Sequence, residues 1–550
     1  MLRGCVPWPD EFARRYFEAG LWEGITVAEM AERTARFNPG KTAIVYGEVR
    51  ITYGEMITAA KRLATALVHQ GFRPHDRIVV QLPNVPEFVL LYLALNYIGV
   101  VPVMALRAHR HAEIRHFVRS SGAVGYVVAD GVDSFDFRIM ASQIASEFSS
   151  LQRVVVVGEP ETGQISFAEL MAQGDVDTNL LQALRPDPAD VSTMLLSGGT
   201  TSLSKLIPRT HNDYVLNARL CSEVAGFSRN TVFLAILPLG HNYNLASPGL
   251  LGTFYAGGTV VIAPSTDTTE VFTAVARERV TVVAAVVPLI TRWLNHDVVR
   301  SHDVSSLQVM QNGGARLAPE LRARVRREFG CTPQEIYGTA EGLINMTRLT
   351  DADALVMQSS GAPVSAFDEI DVLDETGRPL PDGAPGELVT RGPYTIRGYY
   401  NADAINAEAF TSDGFYRMGD IVRKRGRYVY AEGRRKDLIN RGGEKISCDE
   451  VESLIVGLNK VRQVAVVAMA DPVFGEKACA CVVLQPGTTL TLDELVAFLR
   501  AQQIASFKLP ERLEVLASFP VSPVGKILKR ELREIVAQRM SMGPTTKELA

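Results

Sequence analysis

The stretch Leu196-Ser197-Gly198-Gly199-Thr200-Thr201-Ser202-Leu203-Ser204-Lys205 closes an apolar run that begins at Val191. From Ser197 to Lys205 it holds two glycines, five hydroxyl side chains and a lysine. Glycine lets a backbone approach a ligand closely and turn its N–H groups inward. Hydroxyls and a lysine add donors for phosphate oxygens. No glycine directly precedes Lys205, so the spacing is not that of a Walker loop. A strand feeding such a segment points to a nucleotide-phosphate loop of another kind. Read on these residues alone, a flexible linker has the same composition.

On either side of this stretch the pattern is that of an α/β chain. Strand-like runs (Arg77 to Leu82, Val124 to Ala129, Arg153 to Val157, Thr231 to Leu237, Thr281 to Val287) alternate with helical ones (Tyr53 to Gln70, Thr269 to Arg279, Pro319 to Phe329). This alternation predicts parallel sheets covered by helices. From about Glu369 to Arg434, short β runs separated by Asp-Gly and Pro-Asp-Gly turns predict a β-rich subdomain. A new compact unit follows, with helix, two strands, helix and a basic end. The expected organisation is a large N-terminal domain over 1–435, a hinge near Lys436, and a small mobile α+β C-terminal domain over 437–550. At 550 residues the chain exceeds one hydrophobic core.

A net charge of -4 argues against general nucleic-acid or anionic-membrane binding. The six cysteines and nine histidines form neither a disulfide framework nor a metal-ligand pattern. His109, His111 and His116 read as a solvated helix start. The longest apolar run, Phe88 to Leu106, is interrupted by Asn96, Gly99 and Pro102 and reads as a buried helix followed by a strand. The N-terminus has no apolar signal core, so a cytoplasmic location is expected.

Further clusters fit nucleotide chemistry. Tyr337-Gly338-Thr339-Ala340-Glu341-Gly342 follows a strand-like run ending at Ile336 and offers a ring to stack on a base and a carboxylate for a metal. Asp420, in a Gly-Asp turn, offers an acceptor for ribose hydroxyls. Lys526 lies in a loop near the C-terminus. Each has a bland reading as turn or solvated charge; it is their order along the chain that is informative.

With its motifs LSGGTTSLSKLIPRTH, YGTAEG, GELVTRGPYTIRGYY, DGFYRMGD, EGRRKDLINRGGEKI and PVGKILKREL, the chain from about Trp8 to Leu532 resembles the adenylate-forming superfamily: acyl-CoA synthetases, firefly luciferases and adenylation domains of nonribosomal peptide synthetases. Through His241-Asn242-Tyr243-Asn244-Leu245-Ala246-Ser247-Pro248-Gly249 and Gly342-Leu343-Ile344-Asn345 it is similar to the stand-alone aryl-acid AMP ligases of siderophore assembly. The resemblance implies that an aryl acid reacts with Mg-ATP to give aryl-AMP, and that the aryl group then passes to the phosphopantetheine thiol of an aryl carrier protein acting in trans. It implies Lys526 as the cation bridging carboxylate and phosphate, with His241 and Lys445 also catalytic. Ser197, Gly198, Gly199, Thr200, Thr201, Lys205, Gly314, Tyr337, Gly338, Thr339, Asp420 and Arg434 would bind ATP or AMP, and Glu341 would bind Mg²⁺. Asn242, Tyr243, Ser247, Gly313 and Ile344 would hold the aryl acid, and Lys436 would be the hinge. Aryl-CoA ligase activity and a degenerate nucleotide-binding protein are the rival readings.

The chain departs from that family in places. Ser202-Leu203-Ser204-Lys205 stands where Gly-X-Pro-Lys is usual, which predicts weaker ATP affinity at most. Arg107 replaces a proline, and Thr339 stands where aryl ligases often carry methionine. Ser247 occupies a position typical of 2,3-dihydroxybenzoate ligases, and a serine hydroxyl can pair with a 3-hydroxyl. Ile344 is larger than the valine common there, which narrows the pocket toward salicylate. The expected acid is 2,3-dihydroxybenzoate, with salicylate and other ortho-substituted aryl acids as alternatives.

Overall fold

The computed structural model describes residues 1–130, 135–173, 175–197, 204–297, 301–434, 438–441, 444–471, 474–502, 504, 506–522 and 526–541. The fold is α/β, with two large helix-covered sheets, a smaller β sheet and a C-terminal α+β unit.

The nine-stranded sheet runs in the order 362–363, 342–346, 332–339, 309–313, 282–285, 232–235, 259–262, 42–46, 49–52. The seven-stranded sheet runs 165–166, 153–157, 125–129, 77–80, 101–104, 191–196, 206–210. Parallel pairing holds through the middle of both. It fails toward three of the four edges, where Val49–Thr52, Gly342–Met346, Ala362–Pro363 and Leu206–Thr210 pair antiparallel, while the edge strand 165–166 stays parallel. Hairpins need only a short turn, whereas a parallel neighbour needs a crossover. The apolar run read as helix then strand forms Pro86–Tyr97 and Val101–Met104. That helix is buried on every face. Among the described residues no helix is long and apolar enough to cross a membrane.

The helix His211–Val224 starts sharply because Thr210 and Asp213 form a reciprocal capping box. Arg209, just before it, pairs with Asp213 at 2.7 Å with both side chains fully buried. A four-stranded antiparallel sheet covers 369–373, 385–391, 416–425 and 428–434.

In the C-terminal unit the strands Val461–Asp471 and Gly475–Leu484 are apolar on both faces. Val464, Val466, Ala480 and Val482 pack against the helices Cys448–Ile455 and Leu492–Ala501. Ala465, Val467, Cys479 and Cys481 pack against Lys529–Ser541. The period of two sorts alternate residues to two separate cores.

Candidate active site

The strand Val232–Ala235 lies between 259–262 and 282–285, so the chain order reverses beside it. In open α/β sheets such a reversal leaves a crevice at the carboxyl ends of the strands. The residues that follow this strand enter that crevice. His241 caps the short helix Asn242–Ala246, its Nδ1 accepting from Tyr243 N at 3.3 Å. The Tyr243 hydroxyl makes a long bond to Ala285 O at 3.5 Å, and its ring covers Gly313 so closely that a Cβ there would stand 2.8 Å from Cζ. Both contacts are at the carboxyl ends of adjacent parallel strands.

Lys526 arrives from the C-terminal unit. Its Cε lies 3.2 Å from the point a Cβ on Gly314 would take, and Gly314 has φ +82°. Burial, with the charge of Lys526 added, pushes His241 down to about 4, so its imidazole is neutral at neutral pH. A backbone cradle, a neutral histidine and a lysine therefore converge beside the Tyr243 ring. Asn242 and Ser247 are buried next to it, Asn242 Nδ2 donating to Ser247 Oγ at 3.3 Å. Ile344, also buried, is the register partner of Gly338, and its amide donates to the Tyr394 hydroxyl at 3.3 Å.

The strands Thr332–Thr339 and Gly342–Met346 form a hairpin with Ala340 and Glu341 in its turn. The Tyr337 hydroxyl donates to Asp420 Oδ2 at 2.7 Å. Thr339 Oγ1 donates to Gly342 O at 3.0 Å, which leaves that oxygen as an acceptor, suited to a ribose hydroxyl and not to a phosphate oxygen. Glu341 is buried and accepts from the Tyr399 hydroxyl at 2.8 Å on Oε1. Lys205 Nζ lies 4.8 Å over the Tyr399 ring, which joins the end of the glycine- and hydroxyl-rich segment to the glutamate. Arg209 donates to Ala340 O at 3.0 Å and to Tyr394 O at 3.1 Å, bracing the turn from below. Ser197 and Lys205 close the base of the loop, Ser197 N donating to Lys205 O at 3.0 Å and Lys205 N to Ser197 Oγ at 2.9 Å. His116 Nε2 meets Ser204 O at 2.8 Å.

No cluster of three metal-ligating side chains occurs among the described residues. A single carboxylate suits Mg²⁺, which keeps waters and takes its remaining ligands from substrate phosphates. Glu341 fits that donor set, since Oε2 has no hydrogen-bond partner among the described residues.

Several expectations are corrected. The strand read as ending at Ile336 runs on to Thr339. Asp420 lies within the strand Tyr416–Arg425, opposite Arg434, and not in a turn. His109 is half-buried and not a free surface ring: burial pushes it down to about 4, and its Nδ1 accepts from Leu106 N at 3.0 Å. Gly198, Gly199, Thr200, Thr201 and Lys436 lie outside the described residues, as do the side chains of Arg434 and Lys445. Tyr399, Arg209, Tyr214 and Asn217 were not anticipated as site residues.

Residues 31–400 match the AMP-binding enzyme family, and residues 450–526 match the AMP-binding enzyme C-terminal domain. The chain belongs to the AMP-binding enzyme family of adenylate-forming enzymes. It is 42% identical over 544 residues to a 2,3-dihydroxybenzoate-AMP ligase of Bacillus subtilis, covering 99% of each chain. It is 44% identical to a salicylyl-CoA synthase / salicylate adenylyltransferase of a Streptomyces species, covering 97% of this chain and 98% of that one. The apo structure of MbtA from Mycobacterium smegmatis superimposes with a TM-score of 0.75 at 38% identity, covering 97% of this chain and 99% of that one. This full-length likeness places the protein in the aryl-acid branch of the family.

Proposed function

We propose that the protein activates an ortho-hydroxylated aryl acid, 2,3-dihydroxybenzoate foremost, with Mg-ATP, and then loads it onto the phosphopantetheine thiol of a carrier protein acting in trans. In the first half-reaction a carboxylate oxygen attacks the α-phosphorus and the bond to the β-phosphate breaks, giving aryl-AMP and pyrophosphate. In the second the thiol sulfur attacks the acyl carbon, the thiol proton is lost, and AMP departs. The first step brings two anions together, so its barrier is dominated by repulsion and by charge developing on the phosphate.

The observation that carries this reading is the meeting of Lys526 with Gly314 and His241 beside the Tyr243 ring. A cation there lies between a carboxylate resting against Tyr243 and an α-phosphate against the Gly313-Gly314 backbone. A neutral His241 adds no competing charge. Asn242, Ser247 and Ile344 hold the ring and its hydroxyls. Asp420, braced by Tyr337, holds the ribose with Thr339 and Arg434. Ser197, Thr200, Thr201 and Lys205 hold the β- and γ-phosphates, with Gly198, Gly199 and Gly338 giving close approach. Mg²⁺ on Glu341 would neutralise phosphate charge. Lys436 is the hinge about which the small domain turns, withdrawing Lys526 and bringing Lys445 to the thiol path. Six free cysteines and consumption of ATP fit a reducing, cytoplasmic setting.

ATP–pyrophosphate exchange with 2,3-dihydroxybenzoate, salicylate, anthranilate, 3-hydroxypicolinate and benzoate tests the reading. Strongest exchange with 2,3-dihydroxybenzoate is expected, and no exchange with any of them overturns it. Coenzyme A as the acceptor is the second reading, favoured by the relative named a salicylyl-CoA synthase. Thioester formation with coenzyme A but not with a loaded carrier protein would select it.

A further inference from the structure

The helix His211–Val224 turns His211, Tyr214, Asn217 and Cys221 to one fully buried face. Two of these residues touch the segment that forms the aryl pocket. Tyr214 Oη donates to Asn242 Oδ1 at 2.9 Å. Asn217 Nδ2 donates to Ala246 O at 2.6 Å and lies 3.5 Å from Ser247 Oγ. Asn242 Nδ2 meets the same Oγ at 3.3 Å.

These contacts fix which atoms give and which receive. A backbone carbonyl can only accept, so Ala246 O sets the Asn217 amide with its nitrogen toward 246–247. Asn217 Oδ1 is buried without a hydrogen-bond partner, so the protein spends no donor on it. Tyr214 has one proton, and Asn242 Oδ1 receives it. Turning the Asn242 amide over would leave that buried proton unpaired. With the amide fixed, Ser247 Oγ faces two N–H groups and accepts from them. Its own proton finds no acceptor in either amide and is left for the substrate.

We infer that Tyr214 is a positioning residue of the aryl pocket: its hydroxyl orients the Asn242 amide, and this makes Ser247 a hydrogen-bond donor toward the substrate. The inference rests on the proposed reading of Asn242 and Ser247 as residues facing the acid. The chemistry that fits is an aryl acid with a hydrogen-bond acceptor on the carbon beside its ortho hydroxyl. A second hydroxyl oxygen is such an acceptor; a hydrogen or an amino group is not an equivalent one.

Tyr214→Phe keeps the ring and its packing 4.8 Å beneath the Arg209 guanidinium, and removes only the oxygen. Exchange kinetics with 2,3-dihydroxybenzoate and salicylate are measured for the wild type, Tyr214→Phe, Ser247→Ala and the double variant. Tyr214→Phe is expected to raise KM for 2,3-dihydroxybenzoate about tenfold, the loss of roughly one neutral hydrogen bond. KM for ATP and kcat should stay put, and the preference over salicylate should fall toward that of Ser247→Ala. The double variant should lose no further preference, because the two act through one bond. A wild type that discriminates and a Tyr214→Phe variant that discriminates equally overturn this inference alone. A wild type with no exchange, or with none of the expected preference, overturns the pocket reading and the inference with it. The wild type offers a second check that no folding defect can obscure. It should accept 3-aminosalicylate at least tenfold less well than 2,3-dihydroxybenzoate, and equal use of the two would overturn the donor assignment.

Discussion

Lys526 reaches Gly314 across the two parts of the chain, its Cε 3.2 Å from where a Cβ on that glycine would begin. Gly314 also sits at φ +82°, backbone that costs an L side chain about 1–2 kcal/mol. Gly314→Ala is therefore expected to strain the cradle and push the lysine aside. A misplacement on the order of 1 Å costs roughly 10²-fold in rate. Pyrophosphate exchange should fall by about that factor, with thioester formation from supplied aryl-AMP much less affected. Equal loss in both half-reactions would show that the contact does not belong to the first step.

The same lysine acts on His241. Lys526→Ala should raise the His241 pKa from about 4 while leaving it below the usual histidine range, because burial remains. Imidazole chemical shifts followed against pH measure this directly. The linkage has a definite sign. A depressed histidine contributes stability that is complete above the unfolded value near 6.5 and is lost as pH falls toward about 4. His109 and His211, also held near about 4 by burial, add to the loss. Urea midpoints should drop between pH 7 and 5, and the drop should be smaller in Lys526→Ala. An unmoved His241 titration in that variant would mean the two side chains are not electrostatically coupled.

Tyr337→Phe removes the donor that fixes Asp420 at 2.7 Å. Expected is a rise in KM for ATP of about tenfold, the effect of one charge-assisted bond, with KM for the aryl acid unchanged. Steady-state kinetics with each substrate varied in turn separate these. A change confined to the aryl acid would move Asp420 out of the nucleotide site.

Arg209→Met strands Asp213, whose side chain is fully buried, without its partner. Removing one member of such a pair destabilises by about 3–5 kcal/mol. Replacing both, as Arg209→Met with Asp213→Leu, should restore much of that in urea denaturation. If the single variant is as stable as the wild type, the pair does not brace the turn at Ala340.

Much of the central architecture could be read locally. Val191–Leu196 and Arg153–Val157 are short runs rich in β-branched and apolar residues, and they form strands with those bounds. The hairpin at Tyr337 could not, because its last residues become strand only through the antiparallel partner Gly342–Met346. Gly419 misled in the same way: at φ +72° it looks like a turn, yet it is absorbed within a strand. Motif order is what put Lys526, Glu341 and Asp420 forward as candidates. Arg209 and Tyr399 lie inside quoted motifs with no role read for them, and Tyr214 lies outside them, since their meaning is in contacts such as Arg209 with Ala340, 131 residues away. His109 looked solvated because charge surrounds it in sequence while its ring packs on Phe117 in space.

The small C-terminal sheet is filled on both faces from residues 439–536 alone. Such a body keeps its shape whether or not it rests on the rest of the chain. Lifting Lys526 from the cradle breaks a contact between finished surfaces and opens neither core. In the proposed cycle the lysine is presented and taken away once per turnover, much as a tool is moved on a rigid arm, with no part of the arm having to melt and reform.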